Sequence, residues 1–340
     1  MTSTADKITF VLPLALAEPA LLEWRADPTD AVLASVTLLL RSFLKFFNQD
    51  HLQDFIVVVP PHELHAVTTI LTTLFSQLDA RVIDETDLLH QCTHPEQDSH
   101  SAVPGWYRQQ ILKLAIAKHV RTDFYVTLDA DIACTRSFGV ADLLFNGKAY
   151  TNIETPEDYA ELYNTAHAGR ETALKKERLT VAASVLGFDP PKALEDVFYG
   201  ETPVILHTQT VRDLVAYIGA RHRTSWQDYL AKRDAWTEYA LYYQYLRSRG
   251  DFARHHIPVS RDTILNLSKS VWQISSSYKT TRCYDAQHFA FNEQTTGLFV
   301  AVQSWLDPSQ WLPSSSFASI GDFYKFLSAH FGVGDRMSCE

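Results

Sequence analysis

The sequence predicts an α/β fold in which a mostly parallel sheet is flanked by helices. Up to about residue 150, short apolar runs typical of buried strands alternate with segments whose apolar residues recur at helical spacing. An acidic pair, Asp129 and Asp131, directly follows one of these apolar runs. Open α/β sheets bind ligands outside the carboxyl ends of their strands, so the pair stands where a site is expected.

The predicted elements of this first half follow in order along the chain. Strands are predicted from apolar runs at Ile8–Leu14, Asp54–Pro60, Ala80–Ile83 and Asp123–Leu128. Helices are predicted from helical spacing at Asp30–Phe47, Leu64–Leu78 and Trp106–His119. The polar residues 91–105 predict a long loop. The run Ile8–Ala17 superficially matches a signal peptide, but Pro13 interrupts it and Glu18-Pro19 follows, which favours a core strand.

The alternation weakens in the second half of the chain. Helices are predicted at Glu157–Ala166, Thr208–Ile218, Trp236–Ser248 and Phe317–His330, and strands at Ser268–Ser275 and Gly297–Gln303. There is no internal repeat, low-complexity tract or evident linker. These observations predict a single continuous domain.

Composition and charge exclude several classes of protein. The net charge of −10, without a Lys/Arg run, argues against a nucleic-acid partner. An anionic small molecule would need a cation to offset the negative electrostatic field of the protein. The four cysteines contain no CxxC pair and predict free thiols in a reducing compartment. No segment supplies the about 18 apolar residues that a membrane span needs. We therefore expect a soluble, cytoplasmic protein, with peripheral contact at a membrane left open.

Aromatic residues are abundant, with seven Trp, 15 Tyr and 19 Phe. Core packing is the simpler interpretation of this surplus. The alternative is that some of these rings form stacking platforms for sugars or bases.

The segment Phe124–Ile132 (FYVTLDADI) predicts a divalent metal site. Mg²⁺ and Mn²⁺ take one or two protein carboxylates and fill their other positions with water and substrate phosphates. We expect Asp131 to bind the metal directly and Asp129 to contact metal-bound water or the ribose of a ligand. The alternative is a strand-end turn in which both carboxylates accept backbone N–H groups. A dehalogenase-type phosphatase is disfavoured, because it carries Asp-x-Asp on its first strand, whereas here the pair follows the fourth.

Four segments together resemble a little-characterised family of bacterial glycosyltransferases of the GT-A type. They are Gly105–Ala115 (GWYRQQILKLA), the FYVTLDAD segment, ITFVLPL near the start and WTEYALYYQYL at residues 236–246. The resemblance implies one Rossmann-like GT-A domain, a divalent metal and a nucleoside-diphosphate sugar donor, with a UDP-sugar favoured. In this light, residues 1–150 bind the donor, residues 151–312 bind the acceptor, and residues 313–340 form a C-terminal tail.

The resemblance also gives roles to residues on the donor side. Arg108 and Lys113 could reach the donor phosphates and Gln110 a sugar or ribose hydroxyl, unless they form an ordinary solvated helix face. The backbone at Pro13 and Leu14 could pass beneath the base. Asp84, at the end of the third predicted strand, could accept a hydrogen bond from uracil.

On the acceptor side, an inverting transferase needs a base to take the proton of the acceptor hydroxyl. Glu238 is the candidate, and Trp236 could stack on an acceptor sugar. The alternative is that Glu238 merely complements the dipole of a helix that Asp234 caps. His256 and His288 are candidates for a third metal ligand.

The sequence as a whole therefore predicts metal-dependent transfer of a sugar to a hydroxyl on a glycan, a lipid-linked glycan or a small molecule. A nucleotidyltransferase that makes nucleotide sugars is disfavoured, because no glycine-rich loop follows the first strand. The other alternative is a catalytically silent protein that binds nucleotide sugars on the same fold.

Overall fold

The structure is a computed structural model that describes residues 7–16, 28–89, 105–188, 197–290, 297–304, 306–311, 317 and 319–333. Its strands are β1 (Ile8–Pro13), β2 (Leu52–Val59), β3 (Ala80–Asp84), β4 (Phe124–Thr127), β5 (Ile132–Cys134), β6 (Leu144–Phe145), β7 (Lys148–Glu154), β8 (Phe198–Tyr199), β9 (Val204–His207), β10 (His256–Ser260) and β11 (Phe299–Ala301). Its helices are α1 (Pro28–Phe46), α2 (Leu64–Leu74), α3 (Gly105–Ala115), α4 (Val140–Leu143), α5 (Pro156–Leu162), α6 (Thr165–Leu186), α7 (Thr208–His222), α8 (Trp226–Ala231), α9 (Glu238–Ser248), α10 (Phe252–His255), α11 (Pro308–Trp311) and α12 (Ile320–His330). The predicted loop 91–105 lies, except for its last residue, outside the described residues.

Five strands form a central sheet in the order β3-β2-β1-β4-β9. Strands β1 to β4 are parallel to one another, and β9 runs antiparallel to β4. The alternation predicted for the first half of the chain is therefore confirmed, with bounds shifted by a few residues. Because β1 pairs with both β2 and β4, the run that begins at Ile8 is the middle strand of the sheet, and the core strand predicted there is confirmed. The four parallel strands end at one edge, and Asp129 lies two residues beyond β4.

Aromatic rings pack α1 onto this sheet. Phe43 of α1 and Phe47, which directly follows the helix, lie with their ring centroids 4.8 and 4.9 Å from that of Phe10 in β1. Phe43 also meets Phe55 of β2 at 5.0 Å. Each such fully buried side chain contributes about 1.5–3 kcal/mol through removal from water. Core packing thus accounts for this part of the aromatic surplus.

The second half adds two smaller sheets. Strand β7 lies between β10 and β6 and also pairs with β8, while β11 pairs antiparallel with β5. Since β5 starts one residue after Asp131, the β5–β11 ribbon holds the acidic pair against the rest of the fold. The predicted strand Gly297–Gln303 is confirmed as β11. The domain division predicted from the sequence stays a prediction.

The prediction of a strand at Ser268–Ser275 is wrong. The chain forms a tight turn at Leu267–Lys269 instead, in which Asn266 Oδ1 accepts from the backbone N–H of Lys269 at 2.8 Å. The hydroxyl of Ser270 donates back to the carbonyl of Asn266. Asn and Ser side chains that bond to nearby backbone in this way compete with strand pairing.

Helix caps explain how the predicted helices differ from those observed. The segment predicted as one helix at Glu157–Ala166 is divided between α5 and α6, because the side chain of Asn164 accepts from the N–H of His167 and starts a new helix. Helix α9 begins at Glu238, capped by Thr237 rather than by Asp234. Within the described ranges, no helix is both long enough and apolar enough to span a bilayer.

Candidate functional site

Asp131 is fixed by the segment that directly follows β11. Its Oδ2 accepts from the backbone N–H of Ser304 at 2.7 Å, and its carbonyl accepts from Val302 at 2.7 Å. The residue is 9% exposed. Its other carboxylate oxygen, Oδ1, is buried and has no hydrogen-bond partner within the described part of the chain. A buried carboxylate oxygen without a donor is costly to desolvate, and a cation beside it would offset that cost.

The electrostatics of Asp131 lead to the same conclusion. Burial raises its pKa to about 6, and the negative charge of Asp129 contributes in the same direction. The bond from Ser304 opposes this shift only in part. A positive charge placed beside both carboxylates would favour the charged form of Asp131 and lower its pKa again.

Asp129 is anchored by helix α3. Its Oδ1 lies 2.7 Å from Lys113 Nζ and accepts from Gln109 Nε2 at 3.0 Å. Its side chain is 26% exposed, so one side of the carboxylate faces open space. The alternative was a turn in which both carboxylates accept backbone N–H groups. In the structure Asp131 accepts one from Ser304, whereas Asp129 contacts the side chains of Gln109 and Lys113.

Lys113 joins Asp129 to a second carboxylate. Its Nζ lies 3.2 Å from Glu238 Oε1, and its side chain is 2% exposed. Burial by itself would lower the pKa of this lysine, but Asp129 and Glu238 outweigh burial and raise it. Lys113 is therefore a buried cation held between two carboxylates. It does not extend toward open space as a phosphate contact would require, which corrects the role predicted from the sequence.

Glu238 is 1% exposed, and its carboxylate is held in the ion pair with Lys113. Burial raises its pKa, with Lys113 opposing and Asp129 reinforcing the shift. Its backbone N–H donates to Gln110 Oε1 at 3.3 Å. The amide oxygen of Gln110 is thus engaged by α9 and is not free for a sugar hydroxyl as predicted.

Trp236 does not fit its predicted role. It is fully buried, and its Nε1–H donates to the carbonyls of Leu230 and Arg233 at 3.1 and 3.0 Å. Its ring packs against Tyr107, with centroids 5.7 Å apart. An indole with no exposed face cannot stack on an acceptor, so Trp236 is a core residue that fixes α3 against the start of α9.

Three predicted donor residues lie at the edge of the sheet without joining this cluster. Asp84 accepts from both the N–H and the hydroxyl of Thr86 at 2.8 Å, so it caps the turn after β3. Arg108 forms an ion pair with Glu85 at 3.3 Å and is about one-third exposed. Leu14 follows Pro13 at the end of β1; its side chain is buried, and its N–H donates to the carbonyl of Val58. A ligand at this position could therefore contact only the backbone.

Both histidines suggested as a third metal ligand use ring nitrogens in hydrogen bonds within the fold. His256 is buried, with Nδ1 on Thr151 at 2.8 Å and Nε2 on Tyr242 at 2.7 Å. His288 meets the carbonyl of Lys269 with Nε2 at 3.0 Å. No cluster of three or more His, Cys, Asp or Glu side chains suited to a metal occurs among the residues described.

A second buried ionic cluster, which the sequence did not reveal, lies beside the first. Lys175 Nζ contacts Glu201 Oε1 at 2.8 Å and Glu154 Oε2 at 3.2 Å. Arg178 Nη1 donates to Glu201 at 2.5 Å and to the hydroxyl of Tyr239 at 2.6 Å. Tyr239 follows Glu238 in α9, so the two clusters share a helix. Lys175 and Arg178 stand in a charge-rich segment that is typical of a solvated helix, and no local signal distinguished them.

The residues at this site fit a divalent cation. Asp131 offers a buried, unpartnered oxygen, and Asp129 offers a carboxylate that is open on one side. Two carboxylates are a sufficient protein contribution for Mg²⁺ or Mn²⁺ when a phosphate-bearing substrate supplies further oxygens.

Comparisons with known proteins place the chain in a family but do not supply an activity. No curated protein matches the sequence. Among solved structures, the apo form of mouse xyloside xylosyltransferase 1 is 12% identical, with 76% of this chain and 86% of that chain covered and a TM-score of 0.39, a similarity too low to indicate a function. The model of a family of unknown function, DUF6492, matches residues 5–328, and the chain therefore belongs to that family.

Proposed function

We propose that this protein is a metal-dependent glycosyltransferase that moves a sugar from a nucleoside-diphosphate sugar to an acceptor hydroxyl. The observation that carries the proposal is the buried, unpartnered Oδ1 of Asp131, beside Asp129, at the carboxyl edge of the central parallel sheet. This is the edge at which α/β sheets bind nucleotides. The sequence resemblance to GT-A glycosyltransferases supports the same reaction class.

Asp131 and Asp129 would hold Mn²⁺ or Mg²⁺, with Asp131 as the direct ligand. When bound, the cation supplies positive charge to the leaving diphosphate. Lys113 keeps the carboxylate of Asp129 in place and offsets part of its charge. Arg108, about one-third exposed at the same edge, remains the proposed contact for donor phosphates. A UDP-sugar is the first donor to test, with Asp84 and the backbone at Pro13 and Leu14 as proposed contacts for the base.

In the transfer, the acceptor oxygen bonds to the anomeric carbon, while the bond from that carbon to phosphate breaks and its electron pair leaves with the nucleoside diphosphate. The acceptor proton passes to Glu238 in this proposal. Burial raises the pKa of this carboxylate although Lys113 lies 3.2 Å away, and a raised pKa suits a general base. Because Glu238 is 1% exposed, the acceptor must displace a side chain that covers the carboxylate before it can reach it. A base in this position fits an inverting transfer.

The cytoplasm remains the proposed location. Cys134 and Cys283 are free thiols, as a reducing compartment would maintain them.

A donor-hydrolysis screen tests the proposal. Purified protein would be incubated with UDP-, GDP- and dTDP-sugars in Mn²⁺, in Mg²⁺ and in EDTA, and release of nucleoside diphosphate would be measured. We expect release from one donor that EDTA and Asp131→Ala both abolish. Metal-dependent nucleotide binding without turnover, measured by calorimetry, would instead identify a catalytically silent binding protein. Absence of both turnover and binding would refute the metal site.

A further inference from the structure

Trp106 is a large aromatic residue exposed beside the site. It is 42% accessible, at the first turn of α3. One side of its ring is covered by Arg178, whose guanidinium carbon lies 5.6 Å from the ring centroid. Tyr107 meets it edge-on at 4.9 Å. The indole is therefore held in one orientation and still presents apolar surface to solvent.

The helix places Trp106 on the face that lines the site. Residues seven apart lie two turns apart on one side of a helix, so Trp106 shares a face with Lys113 at a separation of about 10 Å along the axis. Between them, Gln109 donates to Asp129 and Gln110 accepts from Glu238. The exposed ring thus lies about two helical turns from the lysine that contacts both Asp129 and Glu238.

Polar groups beside Trp106 are fixed by the second ionic cluster. Arg178 uses Nη1 for both of the hydrogen bonds it makes among the described residues, to Glu201 and to Tyr239. A guanidinium carries five N–H groups in a plane, so donors remain in addition to that nitrogen. Glu201 keeps its charge, because Arg178 and Lys175 outweigh the effect of burial and lower its pKa to about 2. Its side chain is 22% exposed.

This combination matches the chemistry of a sugar ring. A pyranose has an apolar face of C–H groups, which packs on a flat aromatic ring, and a rim of hydroxyls, which bond to planar charged side chains. We propose that Trp106, Arg178 and Glu201, together the Trp106 platform, bind a sugar ring of the acceptor. The acceptor class is then a glycan or glycoside rather than a simple alcohol or a protein hydroxyl. The inference rests on the proposed function for the reaction, but the binding it describes is measurable without turnover.

A glycan array tests the platform directly. Labelled wild-type protein, with UDP and Mn²⁺ present, would be applied to an array that spans common bacterial and animal glycans, and the glycan bound best would be titrated by calorimetry. The variants are Trp106→Ala, Trp106→Phe, which keeps a smaller ring, and Phe145→Ala. Phe145 is also an exposed aromatic residue, 54% accessible, but it lies in β6 outside the central sheet. Circular dichroism would verify that each variant is folded.

We expect wild type and Phe145→Ala to bind the glycan alike, and Trp106→Ala to bind at least about tenfold more weakly, as for a buried aromatic anchor. Trp106→Phe should fall between them. The proposal is overturned if wild type binds no glycan, or if Trp106→Ala binds as tightly as wild type. Neither result depends on donor hydrolysis, so the platform and the proposed reaction can fail separately.

Discussion

Lys113 Nζ lies 2.7 Å from Asp129 Oδ1, and the lysine is fully enclosed while the aspartate is partly open. The same ammonium group is 3.2 Å from Glu238. A residue of α3 therefore connects the proposed metal carboxylate after β4 to the proposed base on α9. The charge of the lysine makes the burial of Glu238 tolerable, because an isolated carboxylate at that depth would carry a penalty of several kcal/mol.

Removal of this lysine should destabilise the fold strongly. In Lys113→Met the side-chain volume is kept, but Asp129 and Glu238 lose the cation between them. We expect the free energy of unfolding to fall by about 3–5 kcal/mol, the usual cost of breaking a buried ion pair from one side. Urea denaturation at pH 7 measures it.

Lys118→Met is the matched control, because Lys118 is exposed and its ammonium group donates to the carbonyl of Asp87. It should lose no more than about 1 kcal/mol. The double variant Lys113→Met with Glu238→Gln should recover part of the loss, since the buried charge is then removed as well. Equal stability of Lys113→Met and wild type would contradict the buried pairing.

Asp131→Asn should abolish metal-dependent nucleotide binding. The substitution keeps the size of the side chain but removes the charge that a divalent cation requires. Loss of groups that only orient metal ligands costs 10–100-fold in affinity, so loss of a direct ligand should cost at least about 100-fold. Calorimetry with UDP, in Mn²⁺ and in EDTA, provides the measurement.

Asp123→Asn is the control for this experiment, because Asp123 is exposed at the opposite end of the same strand. It should bind UDP as wild type does. If Asp131→Asn binds UDP with wild-type affinity in Mn²⁺, Asp131 is not a metal ligand.

Glu238→Gln should reduce transfer by removing the group that takes the acceptor proton. General-base catalysis contributes about 10²–10⁴-fold, so kcat should fall by at least about 10² while the affinity for UDP and Mn²⁺ is retained. The acidic limb of the pH profile of kcat should disappear with the carboxylate. Glu157→Gln, an exposed change in the first turn of α5, should leave both properties unaltered.

The pH profile separates the proposed base from a positioning residue. If Glu238 acts only by holding Lys113, the variant would raise the KM for the donor and keep the acidic limb. That outcome would remove Glu238 from the chemistry and leave the metal site intact.

The sequence predicted the first half of the fold well because its signals are local. The apolar run ending at Leu128 and the acidic residues after it are contiguous, and β4 with Asp129 and Asp131 lies where they indicated. Helix α3 was predicted for similar reasons. Strand order and the pairing of β11 with β5 depend on contacts between distant residues, which periodicity does not encode.

The side-chain partners at the site could not be predicted for the same reason. Trp236 at the start of an aromatic-rich segment resembles a ligand-stacking residue, yet Tyr107, from a helix more than 100 residues earlier, covers it. Trp106 resembles an ordinary core position of an amphipathic helix, yet it is exposed. The exposure of a helix face is set by the elements that pack on it, and these come from elsewhere in the chain.

Glu171 on α6 should make stability depend on pH. The residue is 7% exposed, and its carboxylate lies 3.4 Å from both His167 Nε2 and Gln273 Nε2. Burial raises its pKa from an ordinary 4.5 to about 7, and the charge of Glu201 adds to the effect. Below pH 4.5 the carboxyl group is protonated in both the folded and the unfolded chain. Between pH 4.5 and 7 the unfolded chain releases this proton first, so stability falls as the pH rises through that window.

The variant Glu171→Gln removes this titration while it keeps the shape of the side chain. A shift of this size corresponds to about 3 kcal/mol, so the variant should gain up to that amount over wild type at pH 8 and almost nothing at pH 4. Urea denaturation of both proteins across this pH range tests the difference. Glu177→Gln, at an exposed position of the same helix, should follow wild type throughout. A constant difference between Glu171→Gln and wild type at all pH values would mean that the carboxyl group does not titrate in this window, and that Gln273 and His167 hold it in one protonation state.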